Sequence, residues 1–301
     1  MSLWDMKIDG DTILCRAGFS ADSNSDEMSH SLYNVKRILQ MLKSKFPGKM
    51  TIYLSGPKSC NWRYSLTDTY KSNRALKCKT INCAQEGLNE LPIQQSASRY
   101  FRAYECGSCS AMIRDTKPVY YSEIRQYLIA RYDAKVIDWG EADDWLGVNA
   151  KPNTVIVSND KDLLMLPAFH YRLNSEKLLQ TSDPGQLWLS EDRKKVLGGG
   201  FKWFCCQMLM GDSIDGIKKP VKGWGPVRVY EEMSGNVSAL ELWVKVQNHY
   251  IDAGFSEDQM LLNAQLLWIS RKPKQVFSLE LLEELIEAID NEESNSSTNR
   301  P

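Results

Sequence analysis

The chain has 301 residues, of which 43% are hydrophobic and 25% are charged, and its net charge is −1. This composition is typical of a soluble globular protein with one large or two modest domains. No apolar run approaches the roughly 18 residues of a membrane span and the N-terminus lacks a signal-peptide pattern, so we expect a cytoplasmic protein without membrane contact.

The N-terminal part of the chain predicts a strand, a helix and a second strand. Met6–Ile8 is a short strand that ends at Asp9-Gly10-Asp11, where the glycine leaves both carboxylates near the strand end. Apolar residues at helical spacing predict a helix over Leu32–Leu42. Met50–Leu54 predicts the next strand, which Ser55 follows.

Aromatic and basic side chains are interleaved between Asn61 and Arg74. Rings can stack on bases while cations hold phosphates, so the pattern suits a nucleic-acid path. An amphipathic helix with one solvated face has the same composition, and the residues do not separate these two interpretations. The interleaved residues are Trp62, Arg63, Tyr64, Tyr70, Lys71 and Arg74.

Four of the eight cysteines lie in two close pairs within an irregular segment, residues 75–117. The pairs are Cys78 with Cys83, and Cys106 with Cys109. In a cytoplasmic protein, two such pairs match a tetrahedral structural Zn²⁺ site rather than disulfides. Four free thiols in a loop are the alternative. The unpaired cysteines, expected to pack as small apolar residues, are Cys15, Cys60, Cys205 and Cys206.

The stretch Val136–Leu166 combines two predicted strands with five carboxylates. The strands are Val136–Asp138 and Thr154–Ser158, and ligands bind beyond the carboxyl ends of strands in a parallel sheet. Crowded carboxylates repel one another unless a cation lies among them, so the stretch predicts a Mg²⁺ or Mn²⁺ site. Solvated acidic turns, or acids that stabilise a helix start, are the alternative. The carboxylates are Glu141, Asp143, Asp144, Asp160 and Asp162.

Residues 201–228 predict a helix, a glycine-rich turn and a second helix. Asp212 and Asp215 follow the first helix and are three residues apart, which would place them on one side of a helical turn. Gly223 and Gly225 would let the backbone approach a phosphate, which the N–H groups of a helix start can bind. This is a helix–hairpin–helix pattern for gripping a DNA backbone, and its cations are Lys218, Lys219, Lys222 and Arg228.

The charges are distributed unevenly along the chain. Residues 58–131 hold 12 Lys/Arg against 6 Asp/Glu, residues 191–228 hold 8 against 4, and residues 279–301 hold 7 acids against one Arg. Basic segments that flank an acidic centre suit a metal-dependent nuclease, because phosphates bind the basic surface while cations neutralise the acids. Residues 238–290 are predicted to be mostly helical, and residues 291–301 to be disordered.

Five motifs, in this order along the chain, resemble those of the 5′-nuclease family, which includes flap endonucleases and the 5′–3′ exonuclease domains of bacterial polymerases. The phage-encoded 5′–3′ exonucleases are the most similar members, and the resemblance covers residues 5–235. The motifs are IDGD at Ile8–Asp11, YKSNR at Tyr70–Arg74, EADD at Glu141–Asp144, SNDKD at Ser158–Asp162, and GDSIDGI with GWG within Gly211–Gly225.

The resemblance implies an α/β fold. A PIN-like domain with a central, mainly parallel sheet would carry a helical arch with the cysteine-rich insert, and a C-terminal helix–three-turn–helix region would bind DNA. We divide the chain accordingly into a catalytic domain at 1–175, with the insert at 75–117, a helix–hairpin–helix domain at 176–290 and a disordered tail at 291–301.

The resemblance also implies the roles of individual residues. Lys71 and Arg74 fall where the family places cations that orient the scissile phosphate, and Tyr70 falls where it places an aromatic ring for the terminal base. Arg63, the four cations and the two glycines of the hairpin would contact DNA. Two or more Mg²⁺ (or Mn²⁺) ions would be held by Asp9, Glu141, Asp143, Asp144, Asp160, Asp162, Asp212 and Asp215.

Three features depart from the family pattern. Ser55 stands where many members have another metal-binding Asp, and the lost charge would weaken one metal site unless Asp11 compensates. The turn before Gly223 is one residue longer than expected, and Gly216 stands where Asn is usual. The cysteine segment replaces a shorter arch connection and, if folded on zinc, would stiffen the arch or limit which 5′ ends can thread.

We therefore predict a Mg²⁺-dependent 5′–3′ exonuclease or flap endonuclease of DNA, or of RNA in RNA–DNA hybrids, used in phage replication or primer removal. It would act as a monomer in the cytoplasm, that of the host if phage-encoded, on DNA with 5′ ends or flaps and beside replication proteins. A non-catalytic DNA-structure-binding protein and a PIN-type endoribonuclease are the alternatives. The many acids oppose the first, and the glycine hairpin with its lysines favours duplex DNA over the second.

Overall fold

The structure, a computed structural model, describes residues 3–298 apart from 25, 75, 97, 98, 152 and 236, with side chains as far as residue 291. Its strands are β1 (Trp4–Asp9), β2 (Gly48–Leu54), β3 (Leu88–Glu90), β4 (Gln94–Ser96), β5 (Arg99–Phe101), β6 (Ala103–Cys106), β7 (Met112–Arg114), β8 (Lys135–Val136), β9 (Thr154–Val157), β10 (Phe169–Arg172), β11 (Lys177–Gln180), β12 (Gln186–Leu189) and β13 (Val196–Gly199). Its α-helices are α1 (Gly10–Asn24), α2 (Met28–Lys45), α3 (Arg63–Leu66), α4 (Tyr121–Tyr132), α5 (Ala142–Val148), α6 (Gly200–Met210), α7 (Pro226–Met233), α8 (Ala239–Asp252), α9 (Glu257–Leu267) and α10 (Leu279–Thr298).

A six-stranded sheet in the order β11-β10-β9-β1-β2-β8 forms the centre of the molecule. All neighbours in it are parallel except β10 and β11, so the predicted central, mainly parallel sheet is confirmed. Ile8 lies opposite both Ile52 and Val157, which aligns the carboxyl ends of β1, β2 and β9. Residues that follow these three strands therefore meet at one edge of the sheet.

Apolar residues cover both faces of this sheet. In β9, Val155 and Val157 pack with α1, α2 and α4, while Ile156 belongs to a second cluster beneath the C-terminal helices. That second cluster contains the buried rings of Trp203 and Trp268. The C-terminal helices are thus packed directly on the sheet that carries the acidic residues.

Two predicted boundaries in the sheet need correction. The strand predicted at Val136–Asp138 is shorter, Lys135–Val136, and both of its residues are exposed because β8 lies at the edge of the sheet. The domain boundary predicted after residue 175 falls between two paired strands, since β11 pairs antiparallel with β10. The sheet therefore continues to Gln180.

The described part of the insert between Arg74 and α4 contains short strands. Its strands form a three-stranded sheet in the order β3-β6-β7 and a hairpin of β4 and β5, and no α-helix is present in the described part of residues 76–117. The segment predicted to be irregular therefore contains short paired strands. Such a short segment with little apolar content forms strands only where distant residues pair, which local sequence patterns do not reveal.

The C-terminal region is helical, as predicted, and two of its helices begin at serine caps. Ser238 forms a capping box with Glu241 at the start of α8, and Ser256 does so with Gln259 at the start of α9. The tail predicted to be disordered, residues 291–301, is helical as far as Thr298, and its last three residues lie outside the described part. Among the helices described, none has the length and apolarity required to cross a membrane.

Candidate active site

A cavity of about 450 Å³ opens at the edge of the sheet where β1, β2 and β9 end. Seven of the eight carboxylates predicted to bind metal line it, together with Asp11 and with the predicted cations Lys71 and Arg74. The acids from the N-terminal, central and C-terminal parts of the sequence thus share one cavity. The carboxylates that line it are Asp9, Asp11, Glu141, Asp143, Asp160, Asp162, Asp212 and Asp215.

Asp9, the last residue of β1, is held in place by short hydrogen bonds. Its Oδ2 accepts from Thr12 Oγ1 at 2.5 Å and from Ser158 Oγ at 2.7 Å, while its Oδ1 accepts from the Thr12 N–H at 3.0 Å. Burial, and then the neighbouring charge of Asp11, raises the pKa of Asp9 to about 6. Asp9 is therefore a carboxylate in a fixed position, and a nearby cation would stabilise its ionised form.

The pKa values of Asp143 and Asp162 are raised for the same reasons as that of Asp9. Burial and then the charges of Asp160, Asp9 and Glu141 raise the pKa of Asp143 well above its ordinary value. Burial, followed by the charge of Asp160, raises the pKa of Asp162 to about 7. Without cations in the cavity, the ionised forms of these aspartates are therefore destabilised, as expected of a site to which cations bind.

The loop that follows α6 brings the two C-terminal acids to the cavity. The backbone groups of Asp212 and Ile217 bond to each other and close the loop, and Asp212 Oδ1 accepts from the N–H groups of Ile214 at 2.9 Å and Asp215 at 3.2 Å. The two aspartates, three residues apart, are thus brought together by a closed turn rather than by a continuous helix.

Lys71 and Arg74 connect the insert to the acids. Lys71 Nζ forms an ion pair with Glu141 and lies 3.9 Å from Asp215 Oδ2, while Arg74 Nη2 lies 2.5 Å from Asp215 Oδ1. Although burial opposes it, the positive charges of Lys71 and Arg63 lower the pKa of Glu141. Both predicted cations therefore reach the cavity, and Glu141 is ionised there without a metal.

Tyr70 also lines the cavity, but in this structure its ring is too little exposed to stack on a base. Its side chain is only 3% exposed, and its hydroxyl donates to Glu141 Oε2 at 2.9 Å. The role predicted for Tyr70 from the family resemblance is corrected here, because the ring packs against Tyr64 at 5.3 Å between centroids and belongs to the core.

Asp144 and Arg63 are also structural, contrary to the predictions that they bind metal and DNA. The Asp144 side chain is fully buried, and Arg63 grips it with two hydrogen bonds of 2.7 and 2.9 Å. Asp144 also accepts from the N–H groups of Glu141 and Ser270. Although burial alone would raise the pKa of Asp144, the charge and hydrogen bonds of Arg63 lower it. The Asp144 charge is thus compensated inside the protein, and Asp144 does not line the cavity, although Arg63 does.

Asp11 is the cavity carboxylate that the predicted ligand set omitted. Its Oδ2 accepts from the Ser55 N–H at 3.0 Å, so it places a carboxylate beside the end of β2, where Ser55 itself supplies none. Its Oδ1 has no hydrogen-bond partner, and the nearest cation, Arg125 Nη1, is 3.8 Å away. Gly10 is the residue in the sequence that could have indicated this position of Asp11. It begins α1 directly after Asp9, and Asp11 in the first turn of that helix then faces the end of β2.

These carboxylates fit hard divalent cations. Oxygen ligands suit Mg²⁺ or Mn²⁺, and the raised pKa values together with the unpartnered Asp11 Oδ1 show negative groups that lack compensation. Within the described residues, however, only the cysteine group brings three or more ligand atoms within 4.8 Å of one another. The acids line the wall of a wider cavity, with room for water and substrate between them.

The four cysteines of the insert form a separate group. The Sγ atoms of Cys78, Cys83, Cys106 and Cys109 all lie within 4.8 Å of one another and can hold a metal ion. None is in a disulfide, in agreement with the predicted thiols, and Cys205 and Cys206 are buried in α6 as expected of packing residues.

The predicted DNA-gripping residues lie on an exposed surface next to the cavity. Lys218, Lys219, Lys222 and Arg228 are all exposed, and a groove of about 730 Å³ that Lys218 and Lys219 help to line adjoins the cavity at Asp212 and Ile214. Gly223 has φ +78°, and nothing approaches the position of a side chain at Gly223 or Gly225. α7 begins directly afterwards with Pro226, which suits a first helical turn.

The overall fold is that of the 5′-nucleases. Among solved structures, the chain is similar to a bacteriophage T5 flap endonuclease variant, described as a pseudo-enzyme–product complex with DNA and metal ions, with a TM-score of 0.51 and 13% identity over 94% of this chain and 97% of that one. A mutant of the T5 5′-exonuclease has a TM-score of 0.45 and 13% identity over 94% and 96% of the two chains. No family model and no curated protein matches the sequence.

The acidic cavity predicts an unusual dependence of stability on pH. Because the pKa values of Asp9 and Asp162 are raised in the folded state, the metal-free fold retains protons that the unfolded chain has already lost. The free energy of unfolding in EDTA should therefore fall as the pH rises from the ordinary value of 3.8 to about 7. Mg²⁺ binds the ionised carboxylates, so it should raise the melting temperature more at pH 8 than at pH 5.

Thermal unfolding at both pH values, with Mg²⁺ or with KCl of equal ionic strength, measures this effect. An equal Mg²⁺ effect at pH 5 and pH 8, or none beyond that of KCl, would show that the cavity does not bind the ion.

Proposed function

We propose that the protein is a divalent-metal-dependent 5′–3′ exonuclease or flap endonuclease that hydrolyses phosphodiester bonds of DNA. The observation that carries this proposal is the cavity in which eight carboxylates face Lys71 and Arg74. Fold similarity to an enzyme solved with DNA and metal ions supports it. The adjoining groove with Lys218 and Lys219 supplies the surface along which a polyanion can reach the cavity.

The residues proposed to hold Mg²⁺ or Mn²⁺ are the eight carboxylates of the cavity. Two or more such ions would activate a water and stabilise the leaving oxygen of a phosphodiester. We place Asp11 in this set in place of Asp144, because its carboxylate lines the cavity whereas that of Asp144 is neutralised by Arg63. The N–H of Ser55 orients Asp11 in this role.

Lys71 and Arg74 are proposed to bind the scissile phosphate. Both are now paired with acids of the cavity, Lys71 with Glu141 and Arg74 with Asp215. A phosphate that enters between these pairs would replace part of each interaction, and cations bound by Glu141 and Asp215 would free the two side chains further. The lysines and glycines near α7 would bind the phosphate backbone of the duplex and so position it without sequence specificity.

We propose DNA with 5′ ends or flaps as substrate, with the RNA strand of RNA–DNA hybrids as a second one, and a role in phage replication or primer removal. Products would carry 5′-phosphates. The lysines of the groove would bind a duplex backbone and the adjoining cavity would take the phosphate to be cleaved, an arrangement that suits a single strand emerging from a duplex.

We further propose that the metal of the cysteine group is a structural Zn²⁺. The Sγ atoms of Cys78 and Cys109, and those of Cys83 and Cys106, are 3.4 Å apart, far beyond the ~2.05 Å of a disulfide. Tetrahedral Zn–S bonds require sulfurs about 3.8 Å apart. Soft thiolates in the insert and hard carboxylates in the cavity would thus select different metals.

The experiment that tests the nuclease is cleavage of duplex DNA labelled at one 5′ end, either blunt or with a 5′ flap, in Mg²⁺, Mn²⁺ or EDTA. We expect metal-dependent release of short 5′-phosphorylated products, faster from the flap. Tight binding to the flap without cleavage in either metal would instead identify a DNA-structure-binding protein. Preferential cutting of single-stranded RNA would identify an endoribonuclease.

A further inference from the structure

We infer that the metal held by the four cysteines folds the insert, residues 76–117, and thereby holds Lys71 and Arg74 at the edge of the carboxylate cavity. The kinetic part of this inference rests on the proposed nuclease activity. The structural part concerns metal content and local stability, and it stands or falls independently of any cleavage.

The geometry of the cysteine group is that of two matched turns. Cys83 Sγ accepts a hydrogen bond from the backbone N–H of Gln85, and Cys109 Sγ accepts one from that of Ala111, in each case two residues further along the chain. A backbone donor to a thiolate stabilises its charge and fixes its direction. The same arrangement in both halves, with all four sulfurs in mutual reach, indicates a site built for one ion.

The insert has too small an apolar core to fold by itself. Within the described residues 76–117, the only buried apolar side chains are Phe101, Ala103, Cys106 and Ile113. Ile81 and Met112 are 87% and 58% exposed. Small units with so little buried area need a covalent or metal cross-link to hold one conformation. Because the four thiols form no disulfide, the metal is the available cross-link.

A specific set of hydrogen bonds leads from the cysteine group back toward Arg74. The side chain of Gln85 accepts from the Cys78 N–H at 2.6 Å through Oε1 and donates to the Leu76 carbonyl at 2.8 Å through Nε2. Gln85 itself is fixed by its N–H bond to Cys83 Sγ. Leu76 is two residues from Arg74, so the metal group fixes the chain just beyond the cation.

The other end of the insert is anchored on α1. The Asp22 carboxylate, 3% exposed, accepts from the Val119 N–H at 3.0 Å, and β5 packs against α1. Pro118 lies so close to Gly18 that a Cβ there would come within 2.5 Å of the Pro118 Cβ. The folded insert therefore connects a rigid helix to the loop that carries the two cations.

The segment with the cations needs such support. Lys71 has φ +52°, a left-handed conformation that is unfavourable for a residue with a side chain. The segment bonds to the loop at 213–215 through the Lys71 N–H and the Asn73 side chain, but Ser213 and Ile214 in that loop are themselves exposed. A metal-folded insert fixes the segment from its other side.

The test compares Cys109→Ser with Cys109→His in the full-length protein, with Cys60→Ser as the matched control outside the group. Cys109 is the exposed member of the four, so its replacement perturbs packing least, and His can still ligate zinc. The three readouts are metal per chain by elemental analysis, backbone hydrogen exchange of residues 71–78 and of the insert, and kcat and KM on flap DNA.

We expect the wild type, Cys109→His and Cys60→Ser to contain about one zinc ion per chain and Cys109→Ser to contain less than about 0.2. In Cys109→Ser, amide exchange of the insert and of Lys71 and Arg74 should accelerate at least about tenfold, while that of β9 stays unchanged. Its kcat should fall at least about tenfold with KM within about threefold, because misplaced cations affect the oriented phosphate more than binding.

A second variant, Gln85→Ala, removes the hydrogen bonds to Cys78 and Leu76 but leaves the four cysteines in place, so it distinguishes the effect of these bonds from that of the metal. It should keep its zinc, yet accelerate exchange at Cys78 and lower kcat in the same direction. The inference is overturned if the wild type holds no metal at the cysteine group. It is equally overturned if Cys109→Ser loses zinc while residues 71–74 remain protected. Absence of cleavage by the zinc-loaded wild type would instead overturn the proposed nuclease and leave the exchange result to decide the inference.

Discussion

Asp143→Asn is expected to reduce DNA cleavage about a thousandfold or more, which corresponds to about 4 kcal/mol of lost transition-state stabilisation. Asp143 lies in α5 and lines the acidic cavity, and the charges of Asp160, Asp9 and Glu141 all act on it. An amide of the same shape removes one negative charge from the proposed metal site without opening a cavity in the packing. DNA affinity should stay within about threefold, because the lysines near α7 are unaffected.

The same substitution should make the metal-free protein more stable. Burial and three neighbouring acids penalise the ionised form of Asp143, and asparagine carries no charge to be penalised. At pH 7.5 in EDTA, Asp143→Asn should therefore unfold at a higher temperature than the wild type, and Mg²⁺ should raise its melting temperature less. Loss of activity together with a gain in stability distinguishes a functional acid from one that supports the fold.

Single-turnover cleavage and thermal unfolding measure these two effects. Asp138→Asn is the matched control, because Asp138 is an exposed acid five residues earlier and outside the cavity. It should behave as the wild type in both assays. If Asp143→Asn cleaves at more than about a tenth of the wild-type rate, the cavity is not a metal-dependent catalytic site as proposed.

The acidic cavity could be predicted from the sequence because its acids follow strands. Asp9 is the last residue of β1 and Asp160 lies three residues beyond the end of β9, and strand ends in a parallel sheet converge by geometry alone. The ligand set differs at Asp144 because this acid is fully buried and paired with Arg63, whereas its neighbour Asp143 lines the cavity. Arg63 lies 81 positions away in sequence, so only the fold shows which of the two adjacent acids is compensated inside the protein.

The insert and the role of Tyr70 could not be predicted in this way. Cys78 and Cys109 indicate a metal group through their spacing, but the pairing of β3 with β6 and β7 joins residues that no local pattern relates. Tyr70 looks like a nucleic-acid contact because aromatic and basic residues surround it. Its actual partner, Glu141, is 71 positions away in sequence, and only the fold reveals the pair.

Arg63 is the other residue that composition misplaces, and Arg63→Met is expected to lower the free energy of unfolding by about 3–5 kcal/mol. The side chain is 3% exposed, grips Asp144 with two hydrogen bonds and donates a third to the Trp268 carbonyl. Methionine fills a similar volume but leaves the buried Asp144 carboxylate without its cation. The cost is thus that of an uncompensated charge rather than of lost packing.

The double variant Arg63→Met/Asp144→Leu should recover part of this loss, because no buried charge remains. Recovery should be incomplete, since the N–H groups of Glu141 and Ser270 lose their acceptor. Urea unfolding of the wild type, both single variants and the double variant gives the coupling energy, expected at about 2 kcal/mol or more. Arg74→Met serves as the control for an arginine whose ion pair is half-exposed, where a loss below about 1 kcal/mol is expected.

The same variants decide between the two roles of Arg63. If Arg63 supports the fold, Arg63→Met should bind flap DNA as the wild type does at any temperature where both are folded. The opposite result, full stability with weakened DNA binding, would restore the nucleic-acid contact suggested by its basic and aromatic neighbours. The structure favours the first outcome, because the Arg63 side chain is 3% exposed and three of its five N–H donors bond to Asp144 and Trp268 inside the protein.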